Sequence, residues 1–137
     1  MRTLLARLSI CFAGGCVGGV ANSLAILGAG AAQITTRLGV HLAPTFTYEW
    51  LYRRVVWGGL WGVLLLLPVL RRSPVLVRGM VISLVPTLAQ LFYFFPYQSQ
   101  RGMLGLQLGQ LTPLFVLLFN AVWGICAAWW ARRAGVN

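Results

Sequence analysis

The chain has no lysine and no aspartate, and its 137 residues include one carboxylate, Glu49, and one histidine, His41. Each scarcity removes a class of chemistry. A single acid cannot supply the paired carboxylates of a glycosidase or an aspartic protease, nor a carboxylate cage for a metal. Three cysteines, at positions 11, 16 and 126, have no metal-ligand spacing, and an odd number cannot close into a complete disulfide framework. Cys11 and Cys16, five residues apart, point about 140° apart around a helix. They read as small packing residues. There is no nucleotide-binding glycine loop and no Ser-His-Asp order. Charge is also absent from four long stretches, Leu8 to Thr36, Val55 to Leu70, Gly79 to Gln100 and Gly102 to Ala131.

What is present is apolar bulk and arginine. Mean hydropathy is +0.81, and eleven arginines give a net charge of +10. In a soluble protein such basicity would suggest nucleic acid. Here the arginines punctuate the apolar runs instead of lining one face, so the expected partner is a bilayer with anionic headgroups, and no nucleic acid. A helix rising about 1.5 Å per residue crosses a hydrocarbon core in roughly 20 residues. The pattern therefore predicts an all-α, polytopic integral membrane protein. It would be a four-transmembrane-helix bundle forming a single membrane domain over residues 1–137. Helices are expected near 8–28, 50–70, 76–95 and 113–131, with outer loops at 31–48 and 96–112. The second span is the shortest, because Val55 to Leu70 holds only sixteen residues. It must borrow from Tyr48 to Tyr52 or let Arg54 and Arg71 snorkel outward.

Local signals fill in this outline. Gly14, Gly15, Gly18 and Gly19 form two interleaved G-x-x-x-G patterns in the first span, and Gly58 and Gly62 repeat the spacing in the second. Such faces let helix backbones approach closely. Tyr48, Trp50 and Tyr52 suit a headgroup region, with Glu49 and Arg53 four residues apart on one helical face. Pro86 predicts a kink in the third span. Thr112-Pro113 reads as the N-cap and first turn of the fourth. Phe92 to Phe95 with Tyr97 reads as an interfacial aromatic belt. An apparent signal-peptidase site at Ala29-Gly30-Ala31 follows 21 apolar residues from Leu8 to Gly28, longer than a signal-peptide core. The first helix is expected to be retained.

With the N-terminus inside, seven arginines (2, 7, 71, 72, 78, 132 and 133) face the cytoplasm and four (37, 53, 54 and 101) face out. The positive-inside rule then places both termini in the cytoplasm, in a bacterial inner (plasma) membrane.

Two groups of residues are candidate sites. Asn22, Ser83, Thr87, Gln90 and Asn120 are neutral polar residues within spans, able to line a solute path or to act as hydrogen-bonded glue between helices. His41, Glu49, Arg53 and Arg54 form a candidate interfacial group. There His41 could ligate a haem-like ring or act as a base, and Glu49 could be an acid-base group or a local ion pair. No catalytic residue, metal site or cofactor is assigned. The leading functional expectation is a non-catalytic accessory, assembly or scaffold component packing through its glycine-rich faces, with a protein partner or as a homo-oligomer. The alternative is a small oligomeric transporter or channel with a neutral polar path.

Overall fold

A computed structural model describes residues 2–136; Met1 and Asn137, the ends of the expected domain, lie outside it. The described residues are helical, with no strand. Helix α1 spans Leu4–Ala31, started by the Thr3 hydroxyl, which accepts from the Ala6 N–H at 3.2 Å. A single turn, α2 (Ile34–Arg37), interrupts the following loop. Helix α3 spans Tyr48–Gly62 and is capped by Thr47, whose hydroxyl accepts from the Trp50 N–H at 3.0 Å. Glu49 in its first turn complements the helix dipole. Helix α4 runs Val75–Ala89 and widens to π-helical geometry over Gln90–Gln98. A short turn segment, Met103–Leu108, broken by left-handed backbone at Leu104 and Gly105, precedes α5 (Thr112–Arg133), whose last turn carries Arg132 and Arg133.

Three of these elements, Leu4–Ala31, Val75–Gln98 and Thr112–Arg133, are long and apolar enough to cross a membrane. The second stretch differs from its expected form. Its α-helix starts at Tyr48 and stops at Gly62, continuing only as a 3₁₀ turn, Val63–Leu66, before Leu67 turns extended. Pro68 is the cause, since its ring excludes helical geometry from the residue before it. The helix passes through Pro86, and its geometry widens one turn later, at Gln90. At α5 the cap position belongs to Leu111 rather than Thr112, which is already helical and has a buried hydroxyl without a partner.

Packing radiates from α1, which touches α3 on one side and α5 on another, while α4 packs on α5. No extended packing joins α3 to α4. Asn22, Ser23, Ser83, Thr87 and Asn120 are buried within an otherwise apolar core, while Leu5 (74% exposed) and Leu24 (64%) face outward. A lipid surround favours that arrangement, because polar side chains then find partners only inside the bundle.

The candidate glycines lie at the helix crossings. A Cβ built at Gly15 would fall against the backbone of Gly58 and Gly59, and one at Gly62 against Gly15 and the Cys11 carbonyl. Gly14 and Gly18 meet α5 at Trp130 and Trp123, and Gly19 meets the α3 backbone at Arg54 and Val55. Trp123 ties three helices together, its indole N–H reaching the Gly15 carbonyl at 3.1 Å and the Gly58 carbonyl at 3.3 Å.

At the end that carries the termini, Cys11, Leu65, Ala131 and Val136 form a buried cluster. Arg78, 1% exposed, donates from its guanidinium to the Leu65 carbonyl at 2.8 Å. It thereby satisfies the frayed end of the α3 segment and fastens it to α4. At the opposite end the two long loops meet, with the His41 N–H donating to the Leu108 carbonyl at 2.8 Å.

Candidate functional site

The site begins with close backbone approach. On α1, Gly15, Gly19 and Asn22 follow one another at helical spacing, and on α3 Arg54, Gly58 and Trp61 do the same. The glycines bring the two backbones together, so that Arg54 Nη2 donates to Asn22 Oδ1 at 2.5 Å. Asn22 passes the contact on, its Nδ2 donating to the Phe119 carbonyl at 2.7 Å and lying 3.4 Å from Asn120 Oδ1. Asn120 Nδ2 in turn donates to Thr87 Oγ1 at 3.1 Å and to Gln90 Oε1 at 3.2 Å. Residues from α1, α3, α5 and the α4 segment are thus joined by side-chain hydrogen bonds.

Two cavities border this cluster at the end opposite the termini. The larger, about 680 Å³, is bordered by Asn22, Arg54, Gln90 and Asn120, with Trp50, Trp57, Trp61 and Trp123 as aromatic wall. The smaller, about 520 Å³, includes His41 and Arg101 in its lining. Trp50, Arg54, Gln90, Phe95, Ser99 and Asn120 border both. The Arg54 guanidinium lies 5.1 Å from the centre of the Trp50 ring, within cation–π range.

The charge balance at this end is one-sided. Glu49 Oε1 accepts from Arg53 at 2.5 Å, with both side chains 71% exposed. The only carboxylate side chain is therefore taken by Arg53. Among the described residues Arg54 has no carboxylate partner, and its buried Nε has no hydrogen-bond partner. Its charge is met by the Asn22 carbonyl dipole and the Trp50 ring, both weaker than an anion. A negatively charged ligand in either cavity would complete it.

The candidate residues divide in space. Asn22, Thr87, Gln90 and Asn120 come together. Ser83 stands apart: its hydroxyl donates to the Met80 carbonyl at 2.6 Å within its own helix, and Ser83 lines neither cavity. The interfacial group separates, with His41 in the wall of one cavity, Glu49 and Arg53 in the wall of the other, and Arg54 between them. Among the described residues no three His, Cys, Asp or Glu side chains are close enough to share a metal ion.

Two participants lie outside the neutral polar set that the sequence suggests. Arg54 groups by charge with Glu49 and Arg53, although its spacing of four from Gly58 puts it on the close-approach face of α3. Trp123 is one tryptophan among six, although it stands one residue before Gly124 and three after Asn120.

The exposed Glu49–Arg53 pair predicts a small effect. Glu49→Gln is expected to change unfolding free energy by less than about 1 kcal/mol in detergent, as exposed ion pairs do. A loss well beyond that in a denaturant titration followed by helical ellipticity would show that Glu49 also holds the cavity wall.

No family model, no curated protein and no solved structure matches this chain.

Proposed function

We propose that the chain is a four-helix integral membrane protein whose polar cluster is the recognition site of a small transporter. In this reading α3 is the fourth span. Its fifteen α-helical residues and four 3₁₀ residues reach about 30 Å together, at roughly 1.5 and 2.0 Å per residue. The arginine count supports a bacterial inner membrane location with both termini in the cytoplasm, so the cavities open outward.

The observation that carries the reading is the meeting of Asn22, Arg54, Gln90 and Asn120, one from each long helical element, beside a cavity of about 680 Å³. Such convergent polar groups at a junction of helices are the usual form of a membrane solute site. Helix glue alone needs no adjoining space. The π-helical stretch that begins at Gln90 points the same way, because such widenings recur at functional sites. An accessory role working through the glycine faces is less well supported, since those faces are occupied by α3 and α5 of the same chain.

Reconstituted vesicles test the proposal. Uptake or transbilayer movement is expected for at least one labelled probe among inorganic phosphate, a short carboxylate, glycerol and a short-chain anionic phospholipid. It should fall about tenfold in Asn120→Leu and Gln90→Leu, each of which removes a polar contact of the kind worth roughly 1–2 kcal/mol. Full uptake in both variants, or no uptake together with a stably co-purified protein seen by native mass spectrometry, would overturn it in favour of the accessory role.

A further inference from the structure

We infer that the ligand of this site is an anionic amphiphile of the bilayer, its phosphate head on Arg54 and its hydrocarbon chain leaving between α3 and α4. The inference rests on the reading of the polar cluster as a ligand site and adds the chemical class. Three independent features lead to it.

The first is charge. Arg54 borders both cavities, Arg101 borders the smaller, and the one acid nearby is bonded to Arg53. A guanidinium with no anion beside it among the described residues favours a phosphate or carboxylate, which can accept from its terminal nitrogens. The second is size. A space of about 680 Å³ suits a ligand far larger than an inorganic ion, and its tryptophan-rich wall suits an apolar body attached to the charged end.

The third is the opening. Helix α3 packs on α1 and α4 packs on α5, but α3 and α4 share no extended contact. Near the terminal end Arg78 joins them through the Leu65 carbonyl. Beside the cavity the bridge is the edge-to-face contact of Trp57 and Phe94, ring centres 5.7 Å apart, with Trp57 half exposed. In a membrane this gap faces lipid tails. A water-soluble anion would gain nothing from a lateral exit, whereas a lipid can seat its head at Arg54 while its chains stay in the bilayer. Arg54 lies six residues, about 9 Å along the helix, from the start of α3 at Tyr48, in the outer third of the span, so a lipid head that reaches it is drawn below the headgroup level.

Native mass spectrometry of the purified full-length protein in uncharged detergent tests this. The protein is mixed separately with dioleoyl phosphatidylglycerol, dioleoyl phosphatidylcholine and inorganic phosphate. One phosphatidylglycerol is expected to be retained about tenfold more strongly than phosphatidylcholine, whose choline cation offsets the phosphate charge and is repelled by Arg54 and Arg101. Arg54→Gln should abolish that preference and Arg54→Lys should keep most of it. Arg132→Gln, at the other end of the bundle, should leave it unchanged, and circular dichroism should confirm equal helicity throughout. A phosphatidylglycerol carrying a photoreactive group in its chain should cross-link to peptides containing Trp57, Trp61 or Phe94.

Equal retention of the two lipids, unchanged preference in Arg54→Gln, retention of inorganic phosphate as strong as that of phosphatidylglycerol, or cross-links confined to the outer faces of α1 would overturn the inference. Solute uptake that depends on Asn120 without lipid preference would overturn it while leaving the transporter reading standing. Lipid preference without uptake would do the reverse.

Discussion

Gly15→Leu is expected to separate α1 from α3 and to cost about 3 kcal/mol of unfolding free energy, near the upper end for an overpacked interior. A Cβ at Gly15 would lie 2.9 Å from the Gly58 carbonyl carbon and from Gly59 Cα, all backbone, so no rotamer change relieves the clash. The helices would have to part along a contact that also positions Asn22 against Arg54. Gly28→Ala in the same helix provides the comparison. A Cβ there meets nothing within 4 Å, and the gain in helix propensity predicts no loss or up to about 1 kcal/mol of added stability. Unfolding in sodium dodecyl sulfate, followed by helical ellipticity, reads both. Equal midpoints for Gly15→Leu and the unaltered protein would refute the close α1–α3 crossing.

The second large effect is expected at Trp123, which is 4% exposed. Trp123→Ala should cost roughly 3 kcal/mol or more, because the void it leaves is bounded by three helix backbones that cannot collapse onto it. Trp123→Phe keeps most of the ring volume and removes only the indole N–H. Its cost should be near 1 kcal/mol, since the Gly15 and Gly58 carbonyls retain their intrahelical partners. The ratio of the two losses separates packing from hydrogen bonding. If Trp123→Phe were as damaging as Trp123→Ala, the indole hydrogen bond, and not the ring's bulk, would be what holds the three helices together.

The helical class and three span-length elements are readable in the sequence because length without charge is a one-dimensional property. The end of α3 is less so: Val63 to Leu66 are as apolar as any helical span, yet Pro68 five residues beyond Val63 tightens them into a 3₁₀ turn. The π-helical stretch is harder still. Pro86 stands one turn before it, but nothing in the composition of Gln90–Gln98 marks the wider geometry, and that segment packs on Met103–Leu108, which follows it in the chain.

Side-chain polarity has the same limit. Ser83 and Thr87 look alike as polar residues one turn apart, and both hydroxyls donate to a carbonyl of their own helix. Only Thr87 also accepts from a neighbouring helix. Arg54 shows the reverse case, in which a residue grouped by charge with Glu49 and Arg53 belongs by spacing to the stripe that faces α1.

The order of contacts along the chain also bears on how the protein is made. Trp123 and Gly15 lie 108 residues apart in sequence, and α4 has its extended packing on α5. Emerging from the ribosome, α1 and α3 have each other, but α4 must wait, with Thr87 and Gln90 unpartnered across the bundle, until the last helix follows it into the membrane. Until then the polar cluster is reduced to the contact of Arg54 with Asn22. A chain stopped before Asn120 would carry helices that insert but no assembled site, and quality-control proteases that recognise exposed intramembrane polar groups would have a clear mark to read.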